Sequence, residues 1–368
     1  MLYKQKSRLV VDEVVFTEPQ PKEVVVKIAA SGVCHTDLHL IERSMEPSNL
    51  PMVLGHEGSG VVEAVGEEVT LLEPGDHVVL TFSPSCGKCY FCTLGRPNLC
   101  VTPFHKGGSG RLRLDGTPRL WKGDQKIRQF FGLATFAEYT VVPEETAIRI
   151  PRDVPLDSAC LLGCAVTTGV GAVINTAQVE PGSTVAVFGI GGVGLNVVQG
   201  ANLAGADKVI AIDILDRKLE WARDFGATHI INAFREDVNS RIREITDGLG
   251  ADYAFEAIGN VQVMAQALRS VRRGGKTVII GSTERGKLLS ISPGELLSDE
   301  KILMGSRNGS VRPRTDIPML IRLYKNGRIK LDELITRRYP LEEVNTALED
   351  LQKGVLARGV LIINRTLN

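Results

Sequence analysis

Over residues 1–150, short apolar runs are cut at close intervals by Gly, Pro and Asp, and the stretches 23–28, 60–65 and 77–80 read as strands of a mainly β, loop-rich region. From about Ser183 the pattern changes to apolar runs separated by helical stretches, the form that βαβ units and a parallel sheet take in sequence. Strands are predicted there over 184–188, 208–212, 229–231, 252–256 and 276–280, with an apolar, helix-compatible run over 195–204 after the first. Beyond about Asn308, helices are predicted over 316–326 and 341–354 and a last strand over 359–363, which reads as a return to the first region.

A chain of 368 residues is long enough for two cores, because single cores stop growing near ~250–300 residues. The pattern assigns 1–165 together with 308–368 to one domain and 166–307 to a second. A hydrophobic share of 43% and a charged share of 23% are ordinary for a soluble globular protein and argue against disorder. Forty-three basic residues balance forty-three acidic ones, so no global field favours a nucleic-acid backbone or an anionic membrane, and a small-molecule partner is expected. No apolar stretch reaches ~18 residues, and the first residues lack the apolar centre of a signal peptide. A cytoplasmic protein is therefore expected, in which seven Cys read as thiols and metal ligands rather than a disulfide framework.

The run 184–188 is followed by G-x-G-x-x-G at Gly189, Gly191 and Gly194, and then by the helical stretch. Gly189 would allow a tight turn and Gly191 the approach of a pyrophosphate, while Gly194 would let the helix lie close to the strand. The helix start at Gly192 and Val193 would supply N–H donors to the phosphates. The second strand ends at Asp213, near the offset at which an acid receives ribose hydroxyls, and a carboxylate there would repel a 2′-phosphate. NAD is expected over NADP. An ordinary glycine-rich turn, with Asp213 as a helix cap, is the alternative.

Four Cys lie within fifteen residues as Cys86-x2-Cys89-x2-Cys92-x7-Cys100, on a loop carrying Gly and Pro. Four thiolates make a closed tetrahedral zinc site, structural because no position stays open for substrate. An iron–sulfur cluster fits less well, since the ferredoxin-like run has x3 before its last Cys and Pro after it, and Val101 stands here instead. A nucleic-acid zinc module would need a basic, aromatic-interleaved surface that this stretch lacks. A second polar, glycine-flanked group comprises Cys34-His35-Thr36-Asp37-Leu38-His39, Gly55-His56-Glu57-Gly58 and, far downstream, Cys164. One imidazole with two thiolates would make an open catalytic zinc site. On spacing alone these residues, like Cys160, are as readily packed core or surface groups.

Taken together and in this order, GVCHTDLH, GHEGSG, the four-cysteine lobe, LLGCAVTTG and VFGIGGVG followed by Asp213 resemble the zinc-containing medium-chain alcohol dehydrogenases over nearly the whole chain. The resemblance implies a Rossmann-type doubly wound parallel sheet beside a GroES-like, mainly β catalytic domain, with NAD and two zinc ions per chain. It maps the catalytic zinc onto Cys34, His56 and Cys164, with Asp37 and Glu57 orienting the site and tuning its charge. Thr36 would take the alcohol proton and pass it by way of the nicotinamide ribose to His39. Phe82 matches a substrate-pocket position, Lys218 a ribose contact and Arg358 a pyrophosphate contact; His35 stands where several relatives carry Arg against the pyrophosphate. The implied activity is hydride transfer between a primary or secondary alcohol and NAD, in a homodimer or a homotetramer. The alternatives are oxidation of S-hydroxymethylglutathione, for which Arg111 and Arg113 lie in the right neighbourhood, or of a polyol, and more remotely a non-catalytic NAD-binding zinc scaffold.

Overall fold

The computed structural model describes residues 1–42, 50–101, 117–284 and 286–367. The chain divides into two compact units, Met1–Cys164 with Arg312–Lys325 and Leu331–Asn368, and Ala165–Val311 with Asn326–Lys330. Residues 308–311 and 326–330 thus belong with the second unit, against the expected assignment of all of 308–368 to the first. The reason is local bonding. Gln199 Nε2 donates to the Lys330 carbonyl at 3.3 Å, Lys330 N donates to Gln199 Oε1 at 2.8 Å, and Lys330 Nζ donates to the Asp224 carbonyl at 2.7 Å.

In the first unit the strand Glu23–Val33 is the organising element. It pairs antiparallel with Gly58–Val65, with Tyr139–Pro143 and with Arg358–Ile362, so the last strand does return to the first region. Ten of its eleven residues are buried, Lys27 excepted, which accounts for a nearly continuous apolar run where one-sided burial would give alternation. Val24, Val26 and Ile28 pack with Val62, Val78, Leu80 and Val142 on one side. Val33 joins a second cluster with Leu38, Leu40, Leu54, Phe130, Tyr339 and Leu348. The polar segment after this strand, for which no helix was predicted, is a helix, His35–Ile41, that buries Leu38 and Leu40.

The second unit is a six-stranded parallel sheet with neighbours in the order His229–Asn232, Lys208–Asp213, Thr184–Phe188, Ala251–Glu256, Val271–Ile279 and Ile302–Gly305. Counted along the chain this is 3-2-1-4-5-6, the doubly wound arrangement whose strand order reverses beside the first strand. Every strand predicted for this region is present, and Ile302–Gly305 is an additional one. The core on one face is Ala186, Phe188, Ile210, Ile212, Ile231 and Ile242.

Candidate active site

Strand pairing assembles the first candidate metal set. Glu23–Val33 delivers Cys34, which caps the helix His35–Ile41, while its partner Gly58–Val65 begins just after His56 and Glu57. Ser31 sits opposite Gly58, and Gly32 N donates to the Glu57 carbonyl at 2.8 Å, so Cys34 and His56 meet where the two strands end. Cys164 closes the 3₁₀ turn Cys160–Gly163, which lies so near His77–Leu80 that a side-chain carbon on Gly163 would be 2.5 Å from the Leu80 carbonyl oxygen. The ligand atoms of Cys34, His56 and Cys164 lie within 4.8 Å of one another, and all three residues are buried. Asp37 Oδ2 stands 3.3 Å from His56 Nδ1, and Asp37 Oδ1 accepts from Gly55 N at 3.0 Å, which turns Nε2 toward the thiols. That Nε2 is buried and has no hydrogen-bond partner among the described residues.

The electrostatics fit a cation at this spot. Burial alone would lower the His56 pKa, but Asp37 and Cys34 outweigh it and push it up to about 10. Donation from Cys164, with the Arg358 charge and His56, holds the Cys34 thiol well below its usual range. Asp37 and Glu57 are fully buried beside two thiols, and Arg358 is the buried guanidinium that faces them. Two deprotonated thiols would leave that group strongly negative, a charge that a divalent ion compensates.

In the lobe, Tyr90–Thr93 forms one helical turn and Pro97–Leu99 a 3₁₀ turn, which fold the loop back on itself. The sulfurs of Cys86, Cys89, Cys92 and Cys100 fall within 4.8 Å of one another, with Cys86 N donating to Cys100 Sγ at 3.4 Å. Four sulfurs and no open position suit structural zinc.

The glycine loop follows Thr184–Phe188 and opens the helix Gly192–Leu203. Gly189 has φ +93°, a carbon on Gly194 would lie 1.9 Å from the Gly189 carbonyl oxygen, and a carbon on Gly191 would meet nothing within 4 Å. The turn, the close helix approach and the open face at Gly191 are what a bound pyrophosphate requires. Asp213 ends its strand, accepting from Ile190 N at 2.8 Å on one oxygen and from Ile214 N at 2.8 Å and Leu215 N at 3.1 Å on the other. Lys218 Nζ is 3.8 Å from that carboxylate.

Residues 20–152 match the family described as alcohol dehydrogenase GroES-like domain, and residues 192–326 that described as zinc-binding dehydrogenase. S-(hydroxymethyl)glutathione dehydrogenase of Saccharomyces cerevisiae is 43% identical over 98% of this chain and 94% of its own. The chain belongs to the zinc-containing medium-chain alcohol dehydrogenases. Alcohol dehydrogenase class-3 of Dictyostelium discoideum is 41% identical over 98% of this dehydrogenase and 96% of its own chain. The crystal structure of benzyl alcohol dehydrogenase from Acinetobacter calcoaceticus superposes with a TM-score of 0.90 at 37% identity, covering 95% of this chain and 94% of that one. The dehydrogenase is thus a zinc-dependent oxidoreductase of a family that binds NAD(P), built from a GroES-like part and a Rossmann-type sheet.

Thr36 is half-buried with its hydroxyl 3.6 Å from Cys34 Sγ, and His39 is half-buried one turn further along the same helix. His35 is exposed, its ring 6.5 Å from that of His39. Arg358 pairs with Glu57. It is 3% exposed, its Nη2 is 3.2 Å from both Glu57 oxygens, and its Nη1 donates to the Val33 carbonyl at 3.3 Å. Nη2 is thus held by Glu57, while Nε is buried and has no hydrogen-bond partner among the described residues. Phe82 lies 5.7 Å from the His56 ring, and Phe130 at 5.6 Å and Phe131 at 5.4 Å, which the sequence did not single out, lie as near to it. The Phe130-Phe131-Gly132 run was the available signal, hidden because an apolar pair reads equally as core. Arg111 and Arg113 lie outside the described residues.

Proposed function

We propose that this dehydrogenase oxidises a primary or secondary alcohol with an apolar or aromatic body, using NAD, and that it acts as a homodimer. The observation that carries the reading is the buried Cys34, His56 and Cys164 set with Asp37 behind the imidazole. Zinc held by those three residues supplies a Lewis acid toward the alcohol oxygen, and NAD supplies the hydride acceptor. Thr36, beside Cys34, takes the alcohol proton, and His39 one turn on relays it toward solvent. Gly189, Gly191, Gly192, Val193 and Gly194 hold the pyrophosphate and Asp213 the ribose hydroxyls, with Lys218 against that carboxylate. Phe82 and Phe131, 5.1 Å apart and partly exposed, offer the apolar wall that favours an aromatic or aliphatic body. Relatives named S-(hydroxymethyl)glutathione dehydrogenase support a second reading, in which the substrate is that adduct.

A panel of benzyl, allylic and aliphatic alcohols, run beside formaldehyde with and without glutathione, separates the two. Turnover of the alcohols with NAD is expected; turnover confined to formaldehyde with glutathione would favour the adduct. Cys164→Ala should reduce turnover by at least about a thousandfold, the scale of losing a catalytic metal's contribution, and lower zinc from two per chain to one. Normal activity with unchanged zinc in that variant would refute the ligand assignment.

A further inference from the structure

Two Asn-Gly pairs occur in the chain, at Asn308-Gly309 and Asn326-Gly327, and the fold treats them in opposite ways. An asparagine followed by glycine is open to attack by its own backbone, because glycine puts no Cβ between its nitrogen and the neighbouring carboxamide carbon. Asn308 is 6% exposed, and its Oδ1 accepts from Thr168 Oγ1 at 2.9 Å. Gly309 is clamped against the helix Ala165–Gly171, where a carbon on it would lie 2.0 Å from the Thr167 carbonyl oxygen. Carboxamide and backbone are both held there. Asn326-Gly327 lies instead in the turn that follows the helix Pro313–Lys325. Asn326, Gly327 and Arg328 are all exposed, and a carbon on Gly327 would meet nothing within 4 Å. Gly327 has φ +67°, the left-handed conformation that ends helices and favours glycine. Gly205, Gly226 and Gly354 also follow helices at positive φ, and their N–H groups donate back to the carbonyls of Asn202, Arg223 and Leu351 at 3.0, 2.9 and 3.0 Å. The Gly327 N–H makes no such bond among the described residues.

A backbone nitrogen that no carbonyl holds, next to an exposed carboxamide, is a nucleophile beside its electrophile. We propose that Asn326 is a site of spontaneous covalent modification, at which the Gly327 nitrogen closes on the Asn326 side chain and the asparagine is converted to aspartate and isoaspartate. The Gly327 nitrogen gives up its proton to solvent and bonds to Asn326 Cγ; the Cγ–Nδ2 bond breaks, and Nδ2 takes up a proton and leaves as ammonia. Water then opens the five-membered imide at one carbonyl or the other, giving aspartate or a chain that runs on through the side-chain carbon. One water is consumed and one ammonia released, with no change of oxidation state. Arg328, next along the chain, is a positive charge near the place where the nitrogen anion and then the oxyanion develop. Because the formal charge of the chain is zero, one conversion leaves it net negative. The isoaspartyl form also lengthens the backbone just ahead of Ile329, which is buried, and of Lys330, whose N donates to Gln199 Oε1 on the helix Gly192–Leu203. The reaction needs neither zinc nor coenzyme.

The test follows the full-length, zinc-loaded protein through prolonged incubation at mildly alkaline pH, by isoelectric focusing and by mass analysis of its peptides. An acidic band should grow, and the peptide carrying Asn326 should gain one mass unit and separate into an aspartyl and an isoaspartyl form. The peptide carrying Asn308 should change at least about a hundredfold more slowly, the scale on which a nucleophile held away from its target loses rate. After denaturation the two peptides should change at similar rates, which assigns the difference to the fold and not to the flanking residues. Asn326→Gln, whose longer side chain would have to close a larger ring, should abolish the acidic band. No acidic band, a band whose added mass lies on another residue, or a band that persists in Asn326→Gln would overturn the assignment. So would an Asn308 that changes as fast as Asn326 in the folded protein.

Discussion

Asp213 shows how one carboxylate serves both fold and coenzyme choice. Its oxygens accept three backbone N–H groups, including that of Ile190 in the glycine loop, so replacing it by glycine would loosen the cradle as well as remove charge. Asp213→Asn is the cleaner change, because one acceptor oxygen remains for Ile214 N and Leu215 N and only the bond from Ile190 N is lost. Two unit charges ~4 Å apart repel by roughly 4 kcal/mol at an effective dielectric of ~20, which sets the upper scale of discrimination against a 2′-phosphate. Lys218, 3.8 Å from the carboxylate, offsets part of this in the unmodified protein and is released toward a phosphate once the charge is gone. The ratio of kcat/KM for NAD over NADP should therefore fall by about tenfold to a hundredfold in Asp213→Asn, by the same electrostatic scale after screening. An unchanged ratio, or an unmodified enzyme that uses both coenzymes equally, would place the carboxylate away from the ribose.

The four-cysteine lobe is an element whose stability comes from its ligands. Its helical turn buries nothing: Tyr90 and Leu94 are exposed, and the helix Tyr90–Thr93 has no buried residue. Binding energy at such a site is folding energy. Cys89→Ser should lower the melting temperature by roughly 5 °C or more, the shift that about 2–3 kcal/mol gives in a domain of this size, while kcat at low temperature stays near normal. A Cys89→Ser protein that is equally stable but inactive would mean that the two metal sites have their roles reversed. This lobe was legible because four thiols at short spacing have few other uses, and Thr184–Phe188 because a short apolar run between turn signals has one reading when a glycine fingerprint follows it. The helix His35–Ile41 was not, since over seven residues Cys, His, Thr and Asp functions mask a periodicity carried by Leu38, Leu40 and Ile41. Val271–Ile279 starts five residues before its predicted start, because Arg272, Arg273, Gly274 and Gly275 read as a turn while a register shift lets Val271 pair with Ala251.

At the scale of the whole molecule, equal numbers of acidic and basic residues and a pI near 7.0 leave little long-range repulsion between copies of the chain near neutral pH. Any exposed sheet edge is then free to be used. The parallel sheet has one edge at His229–Asn232, half of it buried, and the other at Ile302–Gly305, where no residue is buried and Ile302 is 42% exposed. No described strand covers the outer side of Ile302–Gly305, and neither Pro nor a charged side chain within it blunts pairing. Leu297, 82% exposed, lies just upstream on the chain. An open, apolar edge on a nearly neutral protein supports the proposed homodimer, with the edges of two copies pairing about a twofold axis. Sedimentation equilibrium at neutral pH should give twice the 39.9 kDa of one chain. Ile302→Lys together with Leu303→Pro, which puts a charge and a missing N–H on the edge, should return the mass to one chain while ADP-ribose binding survives. A monomeric unmodified protein would refute the homodimer. A variant that stays dimeric would move the interface to another surface, and a mass of four chains would require a second one.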